Sequence, residues 1–101
     1  MKYFNLIMKD TITPEKLDKY FKITREALDM AEAEGFDSVR IDEADDFFDM
    51  ATRYYLDGLH FKEKGDYVNA FAAVSYAHGW LDAGARQGLF KVKDSRLFTV
   101  D

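Results

Sequence analysis

The stretch Ala51–Gly88 constrains the chain most, because its centre, Gly65-Asp66, has the chemistry of a join between two helices. Glycine adopts the left-handed conformation that ends a helix at little cost, so Gly65 closes the first of the pair. The Asp66 carboxylate then accepts a hydrogen bond from an otherwise unpaired backbone N–H near Asn69 and opens the second. Gly58 marks a point where a neighbouring helix crosses closely. A helical hairpin is the expected result.

The remainder must build around that hairpin within 101 residues, which is one domain's worth and too few for two cores. A 48% hydrophobic share with 33% charged residues suits a folded globular chain and argues against disorder. Nine Phe, six Tyr and one Trp exceed what so small a core readily hides, which points to a partner. The absence of cysteine removes disulfides and thiolate zinc sites and fits a reducing cytosol. A net charge of -5 with scattered basic residues disfavours nucleic acid, whose phosphates require a clustered basic face. No apolar run approaches the ~20 residues of a membrane span, and Tyr3–Met8 lacks a signal peptide's length and cleavage pattern.

Residues 1–12 alternate weakly and read as an extended arm or short strand. Thr13-Pro14 is a helix start, with Thr as N-cap and Pro at the first helical position, where its missing N–H costs nothing. Leu17, Tyr20, Phe21, Thr24, Ala27, Leu28 and Ala31 then recur at helical spacing as a buried stripe, and Gly35 ends the helix. The short link from Phe36 to Ile41 favours an antiparallel neighbour. Asp42 is the expected N-cap of the second helix. The carboxylates that follow it, Glu43, Asp45, Asp46 and Asp49, suit the positive end of a helix dipole better than a dedicated cation site. From Ala44 to Phe61 the apolar positions of this helix cover more than the ~100° that one neighbour requires, so it touches two.

The third helix, Tyr67 to Gln87, carries two apolar seams. Ala70, Val74, Ala77, Leu81 and Ala85 belong to the core. Ala72, Tyr76, Gly79 and Ala83, with Trp80 beside them, form a second seam whose small residues admit another helix and whose aromatics anchor it. Either a partner or the chain's own arm or tail covers it. Beyond Gly88, residues 89–101 alternate and turn at Asp94-Ser95, the pattern of a small hairpin that must pack on the bundle, with Trp80 as a candidate support.

The polar residues assemble no catalytic set. If the second and third helices run antiparallel about Gly65-Asp66, Arg53 is level with His78, Asp49 with Asp82, and Asp45 or Asp46 with Arg86, giving a charged strip. Asp49, His78 and Asp82 would be the ligands of any divalent cation there, but a single imidazole without a second His is weak chemistry for a metal, and Arg53 repels a cation. His60 reads as a solvated surface residue. Ser75 has no activating His/Asp pair, and no phosphate loop or dinucleotide fingerprint is present, so no cofactor is implied. The spaced Arg and His of an RNA-cleaving helical domain of the HEPN type are also missing.

Two resemblances follow from these residues. Tyr54, Gly58, Phe61, Gly65, Asp66, Tyr67, Ala70, Val74 and Ala77 are similar in spacing to one tetratricopeptide hairpin, although no second copy occurs in the chain. Gly65-Asp66-Tyr67-Val68 through Ala70, and then Tyr76-Ala77-His78-Gly79-Trp80-Leu81-Asp82-Ala83-Gly84, resemble the signature of a short archaeal family catalogued as domain of unknown function 357. The resemblance spans about residues 13–90 and implies a three-helix up-and-down bundle of archaeal origin without an established activity. The expected protein is therefore all-α: an arm (1–12), a bundle (13–88) and a tail (89–101), with arm and tail able to form short strands. The expected role is non-catalytic. Ala72, Tyr76, Gly79, Trp80 and Ala83 would contact a second copy or a partner's helix. The alternative is a metal-dependent or small-ligand enzyme using the strip of Asp49, Arg53, His78, Asp82 and Arg86.

Overall fold

The computed structural model describes residues 10–99; residues 1–9 of the arm expected at 1–12, and residues 100–101 of the tail expected at 89–101, lie outside them. Three helices follow in order, α1 (Pro14–Glu34), α2 (Ile41–Glu63) and α3 (Tyr67–Arg86), and no strand occurs among the described residues. Residues 10–12 have no regular structure, although Ile12 packs against the core. Thr13 caps α1 as its sequence context requires, its side chain accepting from the Lys16 N–H at 3.2 Å.

The helices alternate in direction. Phe47 meets Trp80, Tyr54 meets Tyr76 and Gly58 meets Ala70, so α2 and α3 are antiparallel. Tyr20 meets Phe71 and Thr24 meets His78, so α1 runs parallel to α3. α3 is the central element, packed extensively on α2 and less on α1, while α1 and α2 meet over a short region that includes Phe21 against Tyr55. A Cβ at Gly58 would lie 3.0 Å from Phe21 Cζ and 3.4 Å from the Ala70 carbonyl, which explains the glycine where all three helices converge. The core stripes agree with the periodicity of the sequence, including all five inner-seam residues of α3. Tyr20 is the exception, 39% exposed, with its ring edge-on to Phe71 at the rim.

The α2–α3 connection folds as its residues dictate. Gly65 has φ +76°, its N–H bonds to the Lys62 carbonyl, and the Asp66 N–H bonds to the Phe61 carbonyl, a Schellman ending. Asp66 then accepts from the Asn69 N–H at 3.2 Å. The start of α2 differs from expectation. Arg40, not Asp42, is the N-cap residue, without a side-chain cap, and Asp42 lies in the first turn. The Arg40 guanidinium donates to the Gln87 carbonyl, outside the helix, at 2.8 Å and to Glu43 of the first turn at 3.1 Å. A contact to the far end of α3 thus sets this boundary.

Residues 89–99 of the tail do not form a hairpin. After a second Schellman ending at Gly88, the tail pairs briefly with the α1–α2 link, through Asp37 N–H to the Leu89 carbonyl (2.9 Å) and Lys91 N–H to the Gly35 carbonyl (3.0 Å). Asp94 then makes a tight turn, its side chain accepting from the Arg96 N–H and its carbonyl from the Leu97 and Phe98 N–H groups. That turn drives two successive side chains, Leu97 and Phe98, inward, and Leu89, Phe90 and Val92 are buried as well. The tail is a wall of the core: apart from the Asp94 turn, its backbone bonds to the α1–α2 link and to side chains of α3.

Candidate functional site

The charged strip expected between α2 and α3 does not form. The helices have the anticipated antiparallel level, but the side chains point to different sides. Asp49 and Arg53 lie on the exposed flank of α2 and pair with each other one turn apart at 2.9 Å. His78 and Asp82 lie on the flank of α3 that faces α1 and the tail. Arg86 stands exposed in the last turn of α3. Asp49, His78 and Asp82 therefore do not converge, and among the described residues no group of three His, Cys, Asp or Glu side chains could hold a metal ion.

His78 and Asp82 instead clamp the tail. The Leu97 carbonyl can only accept, so His78 Nε2 donates to it at 2.7 Å, and in the neutral ring the Thr24 hydroxyl donates to Nδ1 at 3.0 Å. Thr24, 1% exposed, thereby finds a partner for the one buried hydroxyl in the α1 stripe. Asp82 accepts from the Thr99 N–H at 2.9 Å and stands 3.8 Å from His78 Nε2, while Arg96 reaches Glu26 at 3.0 Å. His78→Ala is expected to cost about 1–3 kcal/mol by leaving the Thr24 hydroxyl and Leu97 carbonyl without their partner. Hydrogen exchange would show faster exchange at Phe98 and Thr99 with helical protection retained; unchanged tail protection would contradict the clamp.

The outward seam of α3 is open to solvent. Ala72, Tyr76, Gly79 and Ala83 are exposed, Tyr76 at 63%. Tyr76 is nevertheless oriented, its ring stacked on Tyr54 at 5.4 Å and 26°, and Trp80 stands edge-on to Phe47 at 5.0 Å. The tail is anchored on Glu26, His78 and Asp82 rather than on Trp80, the candidate support, whose ring meets Phe47. Three shallow grooves meet at Gly79: about 410 Å³ beside Tyr54, Tyr76, Trp80 and Ala83; about 360 Å³ beside Phe71, Ala72 and Ser75; and about 290 Å³ beside Tyr20, Ile23 and His78. A Cβ at Gly79 would meet nothing within 4 Å, so its lack of side chain creates the low point of the surface and serves no internal contact.

The sequence profile of a family described as "Protein of unknown function (DUF357)" matches residues 19–90, more than two thirds of the chain. The chain belongs to this family. No curated protein and no solved structure matches it. The DUF357 match takes in the whole outward seam, together with Gly84 and Phe90, whereas the tail residues that engage His78 and Asp82 lie beyond it. Sequence reasoning missed the Thr24–His78 pair and the reach of Arg40. The first had a signal, since a hydroxyl within an apolar stripe requires a partner. The second had none, because Arg40 and Gln87 lie on separate elements.

Proposed function

We propose that this DUF357 protein is a non-catalytic interaction module acting in the cytoplasm, and that Ala72, Tyr76, Gly79, Trp80 and Ala83 contact the partner. The observation that carries the reading is the exposed outward seam, an apolar strip with an oriented aromatic at its centre and a glycine hollow beside it. Aromatic anchors next to small residues suit close approach of another helix, and the grooves around Gly79 provide its bed. The cytoplasm is supported by the absence of cysteine and by the absence, among the described residues, of any helix long and apolar enough to cross a membrane.

Replacing Tyr76 with a photo-reactive phenylalanine is expected to give a discrete crosslinked species in the native cell. The same group at His60, on α2, should give none, and Gly79→Leu should erase the Tyr76 product. If position 76 yields no adduct beyond the His60 background, the module reading fails.

A further inference from the structure

We propose that the occupant of the Gly79 face is an amphipathic helix carrying Lys or Arg beside its apolar stripe, an inference that rests on the interaction reading above and specifies its partner. The floor of the face is nearly free of charge. From Tyr67 to Ala85, Asp82 is the only Asp, Glu, Lys or Arg, in a chain that is 33% charged. Its edges are acidic. Asp46, Met50, Tyr54 and Asp57 follow one another at helical steps along one face of α2, and Tyr54 lines the groove beside Tyr76 and Trp80. Asp46 and Asp57 are exposed on that edge, and Asp82 borders the groove on the other side of Gly79.

The neighbouring cations are already engaged: Arg53 is paired with Asp49, and Arg86, the one Lys or Arg of α3, has a contact of its own. An apolar bed between carboxylates is complementary to a helix with apolar residues at i, i+3/i+4 and i+7 and basic residues flanking them. Tyr76 to Ala83 spans about 10 Å of α3, enough for two turns of such a helix. A second copy is a poorer fit. Two-fold pairing through this face would bring the acidic edge of each protomer toward that of the other.

Trp80, the single tryptophan, reports occupancy through its fluorescence. Two tryptophan-free synthetic helices with one apolar stripe, flanked by Lys in one and by Glu in the other, would be titrated into the full chain. The Lys helix is expected to shift Trp80 emission to the blue and to bind about ten-fold tighter than its Glu twin, the effect of a few exposed charge pairs, and to weaken with salt. Gly79→Leu should abolish binding, Asp46→Lys with Asp57→Lys should reverse the preference, and Glu32→Lys with Glu34→Lys, on α1, should leave it intact.

Equal binding of the twins, binding that survives Gly79→Leu, or equal loss in the α1 charge variant would overturn the proposal. So would peptide binding that appears only after deletion of residues 1–9, which would assign the face to the chain's own arm. If neither peptide binds and light scattering reveals a dimer lost in Gly79→Leu, the basic-helix proposal falls while the interaction reading stands. If neither binds and the Tyr76 crosslink is also missing, both fall.

Discussion

Phe90→Ala is expected to lower stability by about 3–5 kcal/mol, the cost of truncating a buried aromatic, and to reduce the thermal midpoint by on the order of 20 °C. Phe90 is 2% exposed and lies outside the three helices, yet it joins three parts of the chain. Its ring is 5.3 Å from Phe36 in the α1–α2 link and 6.2 Å from Phe48 in α2, and it covers Gly84 of α3. The Phe36–Phe90 bridge aligns the tail with that link. Removing the ring thus opens a cavity where link, helix and tail meet, in a domain whose whole stability is on the order of 5–15 kcal/mol. Urea unfolding followed by circular dichroism measures the loss. A change below about 1 kcal/mol would mean that the tail is an appendage and not a wall of the core.

Gly84→Ala is the second large effect, and its sign is opposite to the usual one. Alanine within a helix normally gains about 1 kcal/mol over glycine. At Gly84 a methyl group would lie 2.8 Å from Phe90 Cδ2 and Cζ and closer still to Cε2, so the ring must leave its site. The expected loss is about 2–4 kcal/mol net, overpacking and displacement of Phe90 outweighing the gain in propensity. Gly79→Ala, five residues earlier in the same helix, meets open space and should instead stabilise by about 0.5–1 kcal/mol. The pair separates steric fit from helix propensity. In a Phe90→Ala background the Gly84→Ala cost should vanish, and a cost that persists there would disprove the overlap as its cause.

The residues of α3 show how far local sequence reaches. Its inner seam, the Asp66 cap and the Gly65 ending are consequences of spacing and backbone preference, and all are found in place. Its outer seam is exposed for the same reason, because one helix face cannot turn toward both core and solvent. Gly84 lies within the stretch that matches the family, but nothing in its neighbours names Phe90 as the ring it admits. Asp49 and His78 mark the opposite limit. Antiparallel pairing sets which residues are level along two helices, and the rotation of each helix about its axis decides whether they face one another. Here the rotations turn them apart.

The number of helices, their caps at Thr13 and Asp66, their apolar stripes and the uncharged outer face of α3 are determined by sequence alone, since each depends on residues within a few positions of one another. Only the tertiary structure decided that Arg40 starts α2, that the tail packs as core rather than as a hairpin, and that His78 and Asp82 hold it. Each of these rests on a contact between segments far apart in the chain. Local propensity carries no record of which distant carbonyl, ring or hydroxyl will arrive opposite a given side chain once the helices have packed.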